Sequence, residues 1–146
     1  MGNKSVPAFK TLAELNKLIG KFFSSCEGDY LYGNDGEPVL DKNGVPVIVN
    51  NHPPTVSALA FALGFNSRLD LLNFTGKKSF IDAINRALLR IEVFTEERLF
   101  DKGGYTGAKF CLINNFKGWN EKSDIDAASE TLEKLDGVLC ALKEVM

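Results

Sequence analysis

The sequence is poor in the residues that most soluble catalysts and metal sites need. It holds one histidine, one tryptophan and three cysteines in 146 residues. Cys26, Cys111 and Cys140 lie far apart with no Cys-x-x-Cys pair, so a structural zinc site, which needs four nitrogen or sulfur ligands at short spacing, is not expected. Reduced thiols fit better than a disulfide framework. The only imidazole, His52, stands beside Pro53 and Pro54, and no Ser-His-Asp or Cys-His arrangement follows from it. No cofactor, metal or enzymatic role is expected, and the acidic residues of 92–101 are read as a solvated helix face.

A long apolar run is missing as well. Val45 to Ser67 contains no Asp, Glu, Lys or Arg, but Asn50, Asn51, His52 and the prolines interrupt it, leaving far less than the roughly 20 apolar residues a bilayer requires. A soluble protein with no membrane partner is expected. The start, MGNKSVPAF, lacks a secretory core, only loosely approaches a myristoylation pattern, and is read as a disordered lead-in.

The composition is that of a globular domain, 45% hydrophobic and 25% charged. A formal charge of −2 conceals a polarity: residues 1–90 carry ten Lys or Arg against eight Asp or Glu, and 91–146 carry seven against eleven. An anionic partner at one end and a protein partner at the other would produce such a split, as would a mixed solvated surface.

From Thr11 to Phe23, Leu12, Leu15, Leu18 or Ile19, and Phe22 or Phe23 repeat at helical spacing, and Thr11 with Glu14 forms a capping box. Over 28–50 the period changes. Val39 and Leu40, then Val45, Val47, Ile48 and Val49, flank Asp-Lys-Asn-Gly, which predicts a β-hairpin turning at Asn43-Gly44 and standing off a helical body. Pro38 and Pro46 confine its strands to an edge. A calcium loop fails there, because Val45 cannot ligate and the glycine falls at the wrong position.

Thr55 caps a helix whose inner face is Val56, Leu59, Ala60 and Leu63, ending at Gly64. A shorter helix follows from Asn66 or Ser67 to Gly76, with Leu69, Leu72 and Phe74 inward. The pair has a helix-turn-helix pattern, Ala60 permitting close approach and Gly64 turning the chain. Its outer face would offer Arg68, Asp70 and Asn73, with Lys77 and Lys78 beyond. A second capping box, Ser79 with Asp82, opens a helix to about Asp101, apolar at Phe80, Ile81, Ile84, Ala87, Leu88, Ile91, Phe94 and Leu99 and wanting neighbours on two sides. After Gly103 and Gly104 a shorter helix starts at Thr106, with Phe110, Ile113 and Phe116 free to pack back. Gly103 and Lys109 are spaced as in a phosphate loop, but Ala108 and Phe110 occupy positions that must be glycine and a hydroxyl. At the C-terminus Ser123 is the expected cap of a heptad helix, with Ile125, Ala128, Leu132, Leu135, Leu139, Leu142 and Met146 on one seam. That seam suits packing on its own domain, self-association or capture of another protein.

PPTVSALAFALGF, SFIDAINRALLRIEVFTEERLF and TGAKFCLINNFKGW, in that order over about residues 53–119, resemble the small subunit of bacteriophage DNA-packaging terminases. The resemblance implies a non-catalytic DNA-recognition factor in the host cytoplasm, assembled as a homo-oligomeric ring, that presents double-stranded viral DNA to a large ATPase and nuclease subunit. It implies DNA contacts at Ser67, Arg68, Asn73, Lys77 and Lys78. Assembly contacts are expected from Ile84, Leu88, Ile91, Phe94, Phe110 and Ile113, and large-subunit contacts from Leu132, Leu135, Leu139 and Leu142. Asp70, acidic on the expected DNA face, and Lys117, inserted between NNF and GW, depart from the family pattern. The whole reading is a mainly α fold: a helix-turn-helix domain over 1–77 with the hairpin at 28–50, a helical-hairpin core over 78–119 and an amphipathic helix over 120–146. A dimeric helix-turn-helix transcriptional regulator is the alternative.

Overall fold

The computed structural model describes the backbone of residues 6–120 and 124–145 and the side chains of 6–120 and 131–145. The expected cap Ser123, the seam side chains of Ile125, Ala128 and Met146, and the first five residues lie outside these. The fold is mainly helical. In chain order it comprises α1 (Leu12–Glu27), β1 (Asp29–Tyr30), β2 (Ile48–Val49), α2 (Val56–Ala62), α3 (Arg68–Leu72), α4 (Lys78–Glu97) with a 3-10 turn Arg98–Phe100, α5 (Tyr105–Asn115) and α6 (Asp124–Val145).

Thr11 caps α1 as its sequence predicts: Oγ1 accepts the Glu14 amide at 3.2 Å, and Glu14 Oε2 accepts the amides of Thr11 and Lys10. The helix runs a turn beyond Phe23 and adds Cys26 to its buried face of Leu15, Phe22 and Phe23. Burial raises the Cys26 thiol pKa, against lesser lowering by the Ser25 hydrogen bond and Arg90. Thr55 caps α2 through the Ala58 amide at 3.1 Å. Gly64 adopts φ +86°, which a side chain would strain, and lets the next segment turn back.

The uncharged stretch is now explained. Val56, Leu59, Ala60, Leu63 and Phe65 are buried and join Leu15, Phe22, Leu71, Ile84, Ala87 and Ile91 in a single core. That core runs from α1 across α2 and α3 into α4, and so spans residue 77, where a domain boundary was expected.

Four expectations need correction. Phe9, read as part of a disordered lead-in, is buried, its ring 5.3 to 6.4 Å from those of Phe65, Phe74 and Phe80, and the Ala8 amide bonds to Leu63 O at 2.9 Å. Leu69 faces outward while Leu71 is buried, because the five-residue α3 presents the position two residues on to the core. Ser79 is no cap: α4 starts at Lys78, with the amides of Phe80 and Ile81 both bonded to Lys77 O. Phe110 projects outward, since α5 buries the i, i+4 pair Ala108 and Leu112 instead.

The expected turn at Asn43-Gly44 is present, Leu40 bridging Pro46 antiparallel and Asp41 N–H donating to Val45 O at 2.8 Å, and the unit around it is larger than one hairpin. β1 pairs antiparallel with β2, Asp29 opposite Val49 and Tyr30 opposite Ile48, so residues before position 31 supply a strand. Between them the chain repeats itself every eight residues, LYGNDGEP then VLDKNGVP then VI. Both repeats turn at a glycine with φ +79°, Gly36 and Gly44. The first residues of the two repeats and Val47 close a ring of hydrogen bonds: Leu31 N–H donates to Val47 O (2.9 Å), Val47 N–H to Val39 O (2.8 Å) and Val39 N–H to Leu31 O (2.7 Å). Backbone bonds thus hold together a unit in which no residue of 28–50 is buried.

Candidate nucleic-acid interface

Ser67 and Asn73 mark the two ends of α3. The Ser67 hydroxyl accepts the Asp70 amide at 3.1 Å as the helix cap, and the Asn73 amide closes the helix on Leu69 O at 2.9 Å. Both residues are exposed, as are Lys77 and Lys78 after Gly76. Lys77 Nζ lies 5.8 Å from the Phe80 ring centre, an arrangement that holds the stem on an apolar surface and leaves the ammonium near solvent. The outward Leu69 adds an apolar group to this face.

Arg68 is placed differently from its expected outward position. Its guanidinium donates to the Asn114 carbonyl at 3.2 Å and to Asn115 Oδ1, at the C-terminal end of α5, where unpaired carbonyls favour a cation. Sequence reasoning missed this contact because it joins residues 46 and 47 positions apart. Four of the five expected residues are therefore exposed, at the two ends of α3 and at the start of α4, and the fifth ties α3 to α5.

The other expected residues divide by burial. Ile84 and Ile91 lie inside the chain's core, and Leu88 is half-buried against it. Phe94 is half-buried under the Arg98 guanidinium, 4.8 Å from the ring centre, Ile113 is half-buried and Phe110 is 69% exposed. On α4 the outward apolar residues are Leu89 and Val93. Along α6 every described side chain is exposed, and Leu132, Leu135, Leu139 and Leu142 are each 53% to 61% open. Among the described residues no group of three His, Cys, Asp or Glu could hold a metal ion, no charged or polar side chain is buried, and no helix is long and apolar enough to cross a membrane.

Residues 5–125 match the model of the family described as DNA-packaging protein gp3. The chain belongs to this family. It is a phage DNA-packaging protein, and the family is not a known enzyme family. Comparison with curated proteins and with solved structures gave no match.

The match spans α1 to α5, and in this packaging protein the TGAKFCLINNFKGW stretch fixes α5 to its neighbours. Ala108 and Leu112 are buried, Asn115 receives Arg68, Phe116 packs on the core, and Trp119 Nε1–H donates to Glu92 Oε2 on α4 at 3.1 Å. Asn114 Nδ2 returns to Phe110 O at 2.8 Å. The residues of this last stretch therefore act as the joint between α3, α4 and α5.

Proposed function

We propose that this packaging protein is the DNA-recognition subunit of a terminase, working without catalysis in the bacterial cytoplasm. Copies assemble as a homo-oligomeric ring and present double-stranded viral DNA to a separate large subunit that carries the ATPase and nuclease. The observation that supports the DNA assignment is the exposure of Ser67 and Asn73 at the ends of α3 and of Lys77 and Lys78 where α4 begins. We read α2, the Gly64 turn and α3 as a helix-turn-helix. The lysines are phosphate-contacting types, and the amide and hydroxyl suit base edges or phosphates. Arg68 becomes a positioning residue that sets the attitude of α3 through α5.

One such face is too small for tight binding. A ring presents many copies to one duplex, so effective concentration supplies the affinity that a single protomer lacks. Helices α4 and α5 supply assembly surfaces through Leu88, Phe94, Phe110 and Ile113, while Ile84 and Ile91 support them from within. The open seam of α6, with Leu132, Leu135, Leu139 and Leu142, is assigned to the large subunit. Lys77→Ala with Lys78→Ala tests the DNA face by duplex retention across a salt series. The slope of log affinity against log salt should fall by about one for each phosphate contact a protomer loses. An unchanged slope and affinity would remove these lysines from the interface.

A further inference from the structure

The β-unit at 28–50 has no part in the DNA face, yet its surface is unusual. Tyr30, Tyr32, Leu40, Val45 and Ile48 are each more than half exposed on it. Large apolar side chains exposed in such number on one small unit mark an interaction site, and tyrosine is enriched at protein interfaces. The unit is also acidic, with Asp29, Asp35, Glu37 and Asp41 against Lys42. Its ring of backbone bonds makes it a preformed arm, so little ordering cost opposes docking.

A matching surface lies between α1 and α4. A groove of about 570 Å³ has Ile19, Phe23, Leu89 and Val93 on its walls and Arg86 and Arg90 at its edge. Gly20 keeps it open, because a Cβ there would meet nothing within 4 Å. Arg90 is held flat on Phe23, 4.1 Å from the ring centre, and its ion pair with Glu27, at 3.9 Å between exposed groups, is weak. No residue of 28–50 lines this groove in the protomer. The lengths are comparable: Ala83 to Val93 on α4 spans about 15 Å, and the extended arm from Asp29 to Gly33 about 13 Å.

We propose that the β-unit of one protomer docks in the α1–α4 groove of a second copy, its exposed tyrosines and leucine on the apolar walls and its carboxylates facing Arg86 and Arg90. The contact joins two different patches, so it is heterologous and propagates from copy to copy until a ring closes. The inference rests on the ring assembly proposed above and adds, beside the α4 and α5 surfaces named there, the junction on which association depends.

The test uses two full-length variants. Tyr32→Ser with Leu40→Ser blunts the arm while sparing the backbone ring, and Gly20→Leu fills the groove at a helical position where leucine is a better helix former than glycine. Native mass spectrometry should show each variant alone as monomer, with association weakened roughly 100-fold from the loss of central apolar anchors. An equimolar mixture should give heterodimers and nothing larger, since one intact arm then meets one intact groove. Variants that still form the wild-type ring, or monomeric variants that give no heterodimer when mixed, would overturn the docking while leaving the ring itself standing. A wild-type chain that is monomeric would remove the ring and the docking together.

Discussion

Replacing Gly64 with alanine probes the turn on which the α2–α3 pair depends. At φ +86° a side chain incurs about 1–2 kcal/mol of backbone strain. The added Cβ would also stand 2.6 Å from Ala8 N and 2.9 Å from Ala8 Cβ. Backbone cannot rotate out of the way as a flexible side chain can, so the 6–9 segment must lift. Lifting it breaks the Ala8 amide bond to Leu63 O, a further loss of about 1 kcal/mol, and shifts the buried Phe9 ring. A destabilisation of about 3 kcal/mol follows, and with a urea m-value of about 1.5–2 kcal/mol/M the unfolding midpoint should drop by about 1.5–2 M. Trp119, the single tryptophan, bonded to Glu92, reports the transition by fluorescence. A loss below about 1 kcal/mol at unchanged m-value, less than the backbone strain and clash together require, would refute this account of the turn.

Phe9→Ala should cost about 3–5 kcal/mol by urea titration, the range for truncating a buried aromatic, whereas a disordered lead-in would tolerate it. Arg68→Ala should destabilise by about 1 kcal/mol, the low end for a charge-assisted pair because the site is partly exposed, and should weaken duplex retention through the attitude of α3. The same loss of retention without any stability change would instead return Arg68 to the DNA face. Cys111 and Cys140 are exposed and Cys26 is buried, so thiol labelling of the native chain should modify the first two rapidly and Cys26 only on unfolding. Because the Cys26 pKa is raised on folding, its contribution to stability is complete below the unfolded thiol value and lost as pH rises above about 8.5. A Cys26→Ser comparison across pH 7–10 checks that sign.

What could be read from the sequence was what adjacent residues determine. Thr11 with Glu14, Thr55 and Gly64 act within four residues of themselves, and each performs the role its type predicts. The uncharged stretch from Val45 pointed correctly to burial around Val56 to Leu63. Errors arose where a distant partner decided the outcome. Arg68 is polar in a polar setting, and only the fold brings the end of α5 to it. Phe9 sits between Ala8 and Lys10, and nothing local reveals the three rings that receive it. Ile84 and Ile91 have the periodicity of an assembly face and of a core face alike, and both are buried in the core. The eight-residue repeat of 31–48 is present in the residues themselves, but the turn at Asn43-Gly44 satisfies a hairpin pattern by itself and does not demand it.

The mass of the native assembly tests the central claim most directly. The account predicts a particle of several 16.0 kDa chains that retains duplex DNA at low salt and releases it steeply as salt rises. A 16.0 kDa monomer that retains no duplex at any salt would contradict it.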